Sequence, residues 1–196
     1  MPRITHRYSF PGRFVAGTIG MPGQRTFYVQ ARDGNRLTSV VCEKQQLGTL
    51  VDHLERMLDE LAKLGTPGIP AHVDRAGDLA PLEQPLDEDF RVGTMTLAWD
   101  NAQDCVSLEL FSVVELEDDD EMVDPLRQTA DDAEFSMHVH LTPQATREFI
   151  SRARALIVSG RPECPFCEQP INPEGHLCPR ANGYRKPLFD EPEALD

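Results

Sequence analysis

No apolar run in this chain approaches the ~20 residues that a membrane-spanning helix needs, and the opening residues Met1-Pro2-Arg3-Ile4-Thr5-His6-Arg7-Tyr8 hold no apolar stretch of the kind a secretory signal carries. A cytoplasmic location is expected. Basic residues are scarce too, with 19 lysines and arginines against 33 acids and a net charge of -14. Such a field does not grip nucleic acid by long-range attraction, so tight nucleic-acid binding is not expected. Cysteine is limited to five, an odd number that does not suit a disulfide framework in a reducing compartment; metal ligation and plain burial are the better uses. The Gly-Lys-Ser/Thr ending of a phosphate loop is missing, so Gly17-Thr-Ile-Gly-Met-Pro-Gly23 reads as a hairpin turn. A Gly-x-Ser-x-Gly nucleophile elbow is missing as well.

What is present suffices for a core: 196 residues with 40% hydrophobic content can bury one without staples. The negative charge is concentrated in residues 115–134, where ten acids meet one base, Arg127. A run of like charges repels itself and reads as a solvated loop, and the turn glycine and alternating aspartates of a calcium loop are absent. Residues 65–89 form a linker by composition, with Pro67, Pro70, Pro81 and Pro85 breaking helix and sheet alike.

The segments on either side have the same order. In 1–64, alternation and turn residues mark four strands, with Pro11-Gly12, Pro22-Gly23 and Asp33-Gly34 between them. A helix follows, carrying Leu47, Leu50, Val51, Leu54, Leu58 and Leu61 at three- and four-residue spacing up to Gly65. In 90–160, strands Phe90 to Trp99, Val106 to Val114 and Glu134 to Leu141 precede a helix capped by Thr142, with Pro143 in its first turn. The expected class is α+β, with antiparallel sheet in two strand-meander-plus-helix halves, an arrangement open to internal duplication. Residues 161–196 form a zinc knuckle and tail.

The strongest chemistry is Cys164-Pro-Phe-Cys167, eight further residues, then His176-Leu-Cys178. Two cysteines separated by two residues point both sulfurs at one ion from a tight turn, and a later His and Cys complete four ligands for tetrahedral zinc. Cys164, Cys167, His176 and Cys178 are the candidate ligands. The single residue between His176 and Cys178 is a tight gap; were His176 only a neighbour of the ligands, the fourth position would be open to water, a reactive arrangement. Metal-free thiols, or a redox Cys-x-x-Cys, are the other readings, the latter disfavoured because the motif does not lie between a strand and a helix. Arg161, Arg180, Arg185 and Lys186 could offset the thiolate charge, bind a phosphate or simply be solvated. His138 and His140 share one strand face, as a metal or base pair or as its polar side. Cys42, Cys105 and Trp99 read as core.

The residues Phe14-Val-Ala-Gly-Thr-Ile-Gly20, Gln24-Arg-Thr-Phe-Tyr-Val-Gln-Ala31 and Cys164 through Tyr184 resemble an actinobacterial family of unknown function over nearly the whole chain. The resemblance implies no catalytic residues. It extends to ParJ-like proteins, which implies a chromosome-partition ATPase as partner. The repeated meander-plus-helix is also similar in architecture to the Pur and Whirly nucleic-acid binders. Together these readings give a zinc-binding cytosolic adaptor or regulator that binds another protein, with a metal-dependent hydrolase, or more weakly a nucleic-acid-binding module, as alternatives.

Overall fold

The computed structural model describes residues 3–21, 23–73, 77–114, 130–159, 164–167 and 178–180. The chain divides into two compact units, residues 1–19 with 26–158, and residues 20–25 with 159–196. The first unit holds β1 (Ile4–Ser9), β2 (Arg13–Ile19), β3 (Thr26–Asp33), β4 (Arg36–Cys42), α1 (Lys44–Lys63), β5 (Phe90–Asp100), β6 (Cys105–Ser112), a short 3-10 turn, β7 (Phe135–Leu141) and α2 (Pro143–Val158). No helix among the described residues is long and apolar enough to cross a membrane.

The seven strands form one sheet in the order β1-β7-β6-β5-β4-β3-β2. The three-strand meanders β2-β3-β4 and β5-β6-β7 are antiparallel, as the alternation predicts. The wholly antiparallel sheet is corrected at two places: β4 and β5 meet in parallel through two residue pairs, and β1 runs parallel to β7. The first strand thus joins the second meander. Phe10 has a positive φ of 55° and Pro11 lacks an N–H, so the chain turns away after β1 instead of closing a hairpin onto β2. The sheet also curls. Tyr8 of β1 reaches across to β4, where its hydroxyl lies 2.8 Å from Thr38 Oγ1, and Arg36 donates to the Arg7 carbonyl at 2.6 Å.

One face of the sheet and both helices enclose the core, with Val29, Val40, Val106, Leu108, Leu110, Met137 and Val139 facing Leu47, Leu54, Leu58, Phe149 and Ile150. Each such buried side chain contributes about 1.5–3 kcal/mol. α1 starts where the Glu43 N–H donates to Gln46 Oε1 at 2.8 Å, and ends as Gly65 (φ 79°) and Thr66 return their N–H groups to Ala62 and Leu61. α2 starts on Thr142, whose Oγ1 accepts from Ala145 N at 3.2 Å. In β5 the inward set changes from Phe90 and Val92 to Met95, Leu97 and Trp99 across a register shift between Val92 and Thr94. Gly93 sits in that bulge, where a Cβ would lie 3.0 Å from the Val113 Cα.

The Pro/Gly-rich segment is pinned to the sheet along residues 78–89. Arg13 holds both Asp78 oxygens, at 2.6 and 3.1 Å, and the Ala80 and Pro81 carbonyls. Arg152, 8% exposed, donates to the carbonyls of Ala16, Asp78 and Ala80. Ala16 belongs to an edge strand, so this guanidinium also covers an open backbone acceptor. Leu82 then lies on Gly17, and the buried Gln30 amide clasps Glu83 through both its N–H and its carbonyl. Of the acidic stretch 115–134, residues 115–129 lie outside the described residues.

Candidate metal centre

Two short turns supply the centre, Cys164-Pro-Phe-Cys167 and Cys178-Pro-Arg180. In each, proline follows a cysteine and fixes φ, which favours a tight reversal over helix. The segment has too few apolar side chains to build a core of its own, yet Cys164 is 3% and Cys178 6% exposed, with Cys167 half-buried. The three sulfurs lie within 4.8 Å of one another.

The spacing separates the chemistries. Cys164 Sγ and Cys178 Sγ stand 3.8 Å apart. A disulfide would bring them to about 2.05 Å, whereas four ligands at tetrahedral angles around zinc, with Zn–S bonds of about 2.3 Å, place sulfurs about 3.8 Å apart. The donor set fits a soft or borderline ion. Burial pushes the Cys164 thiol up, but hydrogen bonds from the backbone N–H groups of Phe166 and Cys167, together with those it shares with the Cys167 and Cys178 side chains, outweigh it and leave the thiol below its ordinary value. The two backbone N–H groups are donors of the kind a thiolate ligand keeps. Arg180 Nη1 donates to the Phe166 carbonyl at 2.8 Å, tying the second turn to the first.

The structure thus brings together three of the four ligands expected from spacing. His176 lies outside the described residues, as do Arg161, Arg185 and Lys186. Cys42 and Cys105 are buried in or at the ends of strands, 3% and 0% exposed. Burial pushes the Cys42 thiol to about 12, with Glu43 adding to the rise, as suits a small apolar side chain and not a ligand.

His138 and His140 do share a face, with ring centroids 4.7 Å apart. Sequence reasoning missed their neighbours, because β1 pairs with β7 across some 130 residues of chain and no local pattern announces it. Arg7 Nη1 lies 3.1 Å from His138 Nδ1, and His138 Nε2 lies 2.9 Å from Ser107 Oγ. A guanidinium only donates, so Nδ1 must accept and the ring proton sits on Nε2, pointing at the serine. In a serine hydrolase the polarity is reversed: Nδ1–H donates to a carboxylate and Nε2 accepts from the serine. Burial, His140 and Arg7 hold His138 below its ordinary value, against a smaller opposing pull from Glu109.

Residues 6–178 match a family described as Protein of unknown function (DUF3090), a span that takes in all three clustered cysteines. No curated protein and no solved structure matches the chain.

Proposed function

The chain belongs to the DUF3090 family, and from that premise we propose that it is a zinc-binding adaptor or regulator whose metal organises the C-terminal segment for contact with another protein. The observation that carries the reading is the 3.8 Å separation of two buried sulfurs in a three-cysteine cluster. Cys164, Cys167 and Cys178 would hold the ion, with His176 as the fourth ligand, and a closed Cys3His shell is structural chemistry. When bound, zinc supplies the cross-link that a segment poor in apolar side chains lacks. The bond polarity at Ser107, His138 and Arg7 supports the non-enzymatic side of the reading over a hydrolase built on that histidine pair. The recurrence of three strands and a helix, in residues 13–63 and again in 90–158, supports a duplicated ancestry for the first unit.

The resemblance to ParJ-like proteins makes a chromosome-partition ATPase the first partner to assay. Protein purified without a histidine tag should carry one zinc per chain and lose it in Cys164→Ser. Sedimentation with the ATPase should then show a complex that chelation weakens. Zinc-free wild-type protein, or turnover in a phosphoester or amide screen that dies in His138→Ala, would overturn the reading.

A further inference from the structure

The peptide joining Phe166 to Cys167 has both of its polar groups engaged, on opposite sides. Its carbonyl oxygen, on Phe166, accepts from Arg180 Nη1 at 2.8 Å. Its N–H, on Cys167, is one of the two backbone donors to the Cys164 sulfur. The order is guanidinium, carbonyl, amide N–H, sulfur. A cation on the oxygen of an amide draws electron density from its nitrogen and makes the N–H a stronger donor; the Arg180 end of this chain is exposed and its Cys164 end is buried. Cys164 at the far end is only 3% exposed, so a protein N–H serves its sulfur where water has little access.

We infer that Arg180 is a positioning residue of the metal centre, acting on the Cys164 sulfur through the Phe166–Cys167 peptide. The inference rests on the metal reading above. Three thiolates around a divalent ion leave about one negative charge, and Arg180 offsets it without being a ligand. Arg180 also sets geometry. It spans from the Cys178 turn to the Cys164-Pro-Phe-Cys167 turn, so a protein hydrogen bond holds the separation that a bound metal would also set.

The test is cobalt(II) titration of the full chain, with a competing chelator for affinity and the sulfur-to-cobalt charge-transfer band as a spectroscopic readout. Arg180→Ala should weaken cobalt binding about 10–100-fold, the range for loss of a partner of a metal ligand, and shift the band. Arg180→Lys, which keeps a cationic donor, should retain more affinity than Arg180→Gln, which keeps a neutral one. Binding within twofold of wild type and an unmoved band in Arg180→Ala would overturn the inference while leaving the metal reading intact. If far-ultraviolet circular dichroism shows that the alanine variant does not fold, the Lys and Gln variants decide, and equal affinity of those two overturns the relay. Wild-type protein that binds no cobalt overturns the metal reading and the inference together.

Discussion

Replacing Gly17 and Leu82 with alanine, singly and together, tests whether the segment that follows α1 is an integral layer of the fold. An ideal Cβ on Gly17 would lie 2.4 Å from Leu82 Cγ and 2.5 and 2.8 Å from its two methyl carbons. Such contacts cannot persist, so Gly17→Ala must displace the Leu82 side chain from its packed position, alone or with its segment, at a cost of about 1–3 kcal/mol. Leu82→Ala, from a side chain 8% exposed, should cost about 2–3 kcal/mol through lost burial and the space left behind. In the double variant the new methyl occupies part of the vacated space, so its cost should fall short of the sum of the two single costs by about 1–2 kcal/mol. Urea unfolding followed by circular dichroism measures all four corners of the cycle, with an unchanged slope showing that only stability has moved. Additivity within about 0.5 kcal/mol, or a neutral Gly17→Ala, would refute the packing described for this segment.

His138 gives a pH dependence of defined sign. Its charged form is disfavoured by the fold, first by burial and then by His140 and Arg7, so it contributes stability that is present above the unfolded value of about 6.5 and lost as pH falls through the lower folded value. Urea midpoints should therefore drop between pH 7 and pH 5, and drop less in His138→Gln; an equal or steeper fall in the variant would contradict this. Cys42, with its thiol pushed to about 12 and 3% exposed, should escape iodoacetamide at pH 8 in native protein, while the clustered cysteines become labelled after chelation. Peptide mapping that finds Cys42 labelled as fast as a free thiol would refute its burial.

Local chemistry was legible in the sequence wherever it repeats or caps. The leucine spacing gave α1, and Thr142-Pro143 gave the start of α2. The Asp33-Gly34 hairpin stood one residue away from the loop found, since Asp33 pairs with Arg36 and the turn residues are Gly34 and Asn35. Long-range pairing was not legible. β1 resembles any alternating strand, and only the matching of His6 and Tyr8 to Met137 and Val139 across the sheet decides its neighbour. The pinning of residues 78–83 was hidden for a similar reason, because Arg13, Gln30 and Arg152 are ordinary polar residues until the fold places Asp78 and Glu83 beside them. The cysteine cluster was legible because its members lie at short fixed spacings around two tight turns, a pattern that survives in sequence. Arg180 was visible only as one of four nearby bases; its bond to the Phe166 carbonyl sets it apart.

Zinc K-edge X-ray absorption on protein purified without a histidine tag tests the account most directly, because it counts sulfurs around the ion. The account predicts one zinc per chain with three sulfurs at about 2.3 Å and a single nitrogen or oxygen at about 2.0–2.1 Å, and one sulfur fewer, or no bound zinc, in Cys164→Ser. A first shell of oxygen and nitrogen alone, or a spectrum the Cys164 substitution leaves unchanged, would contradict it.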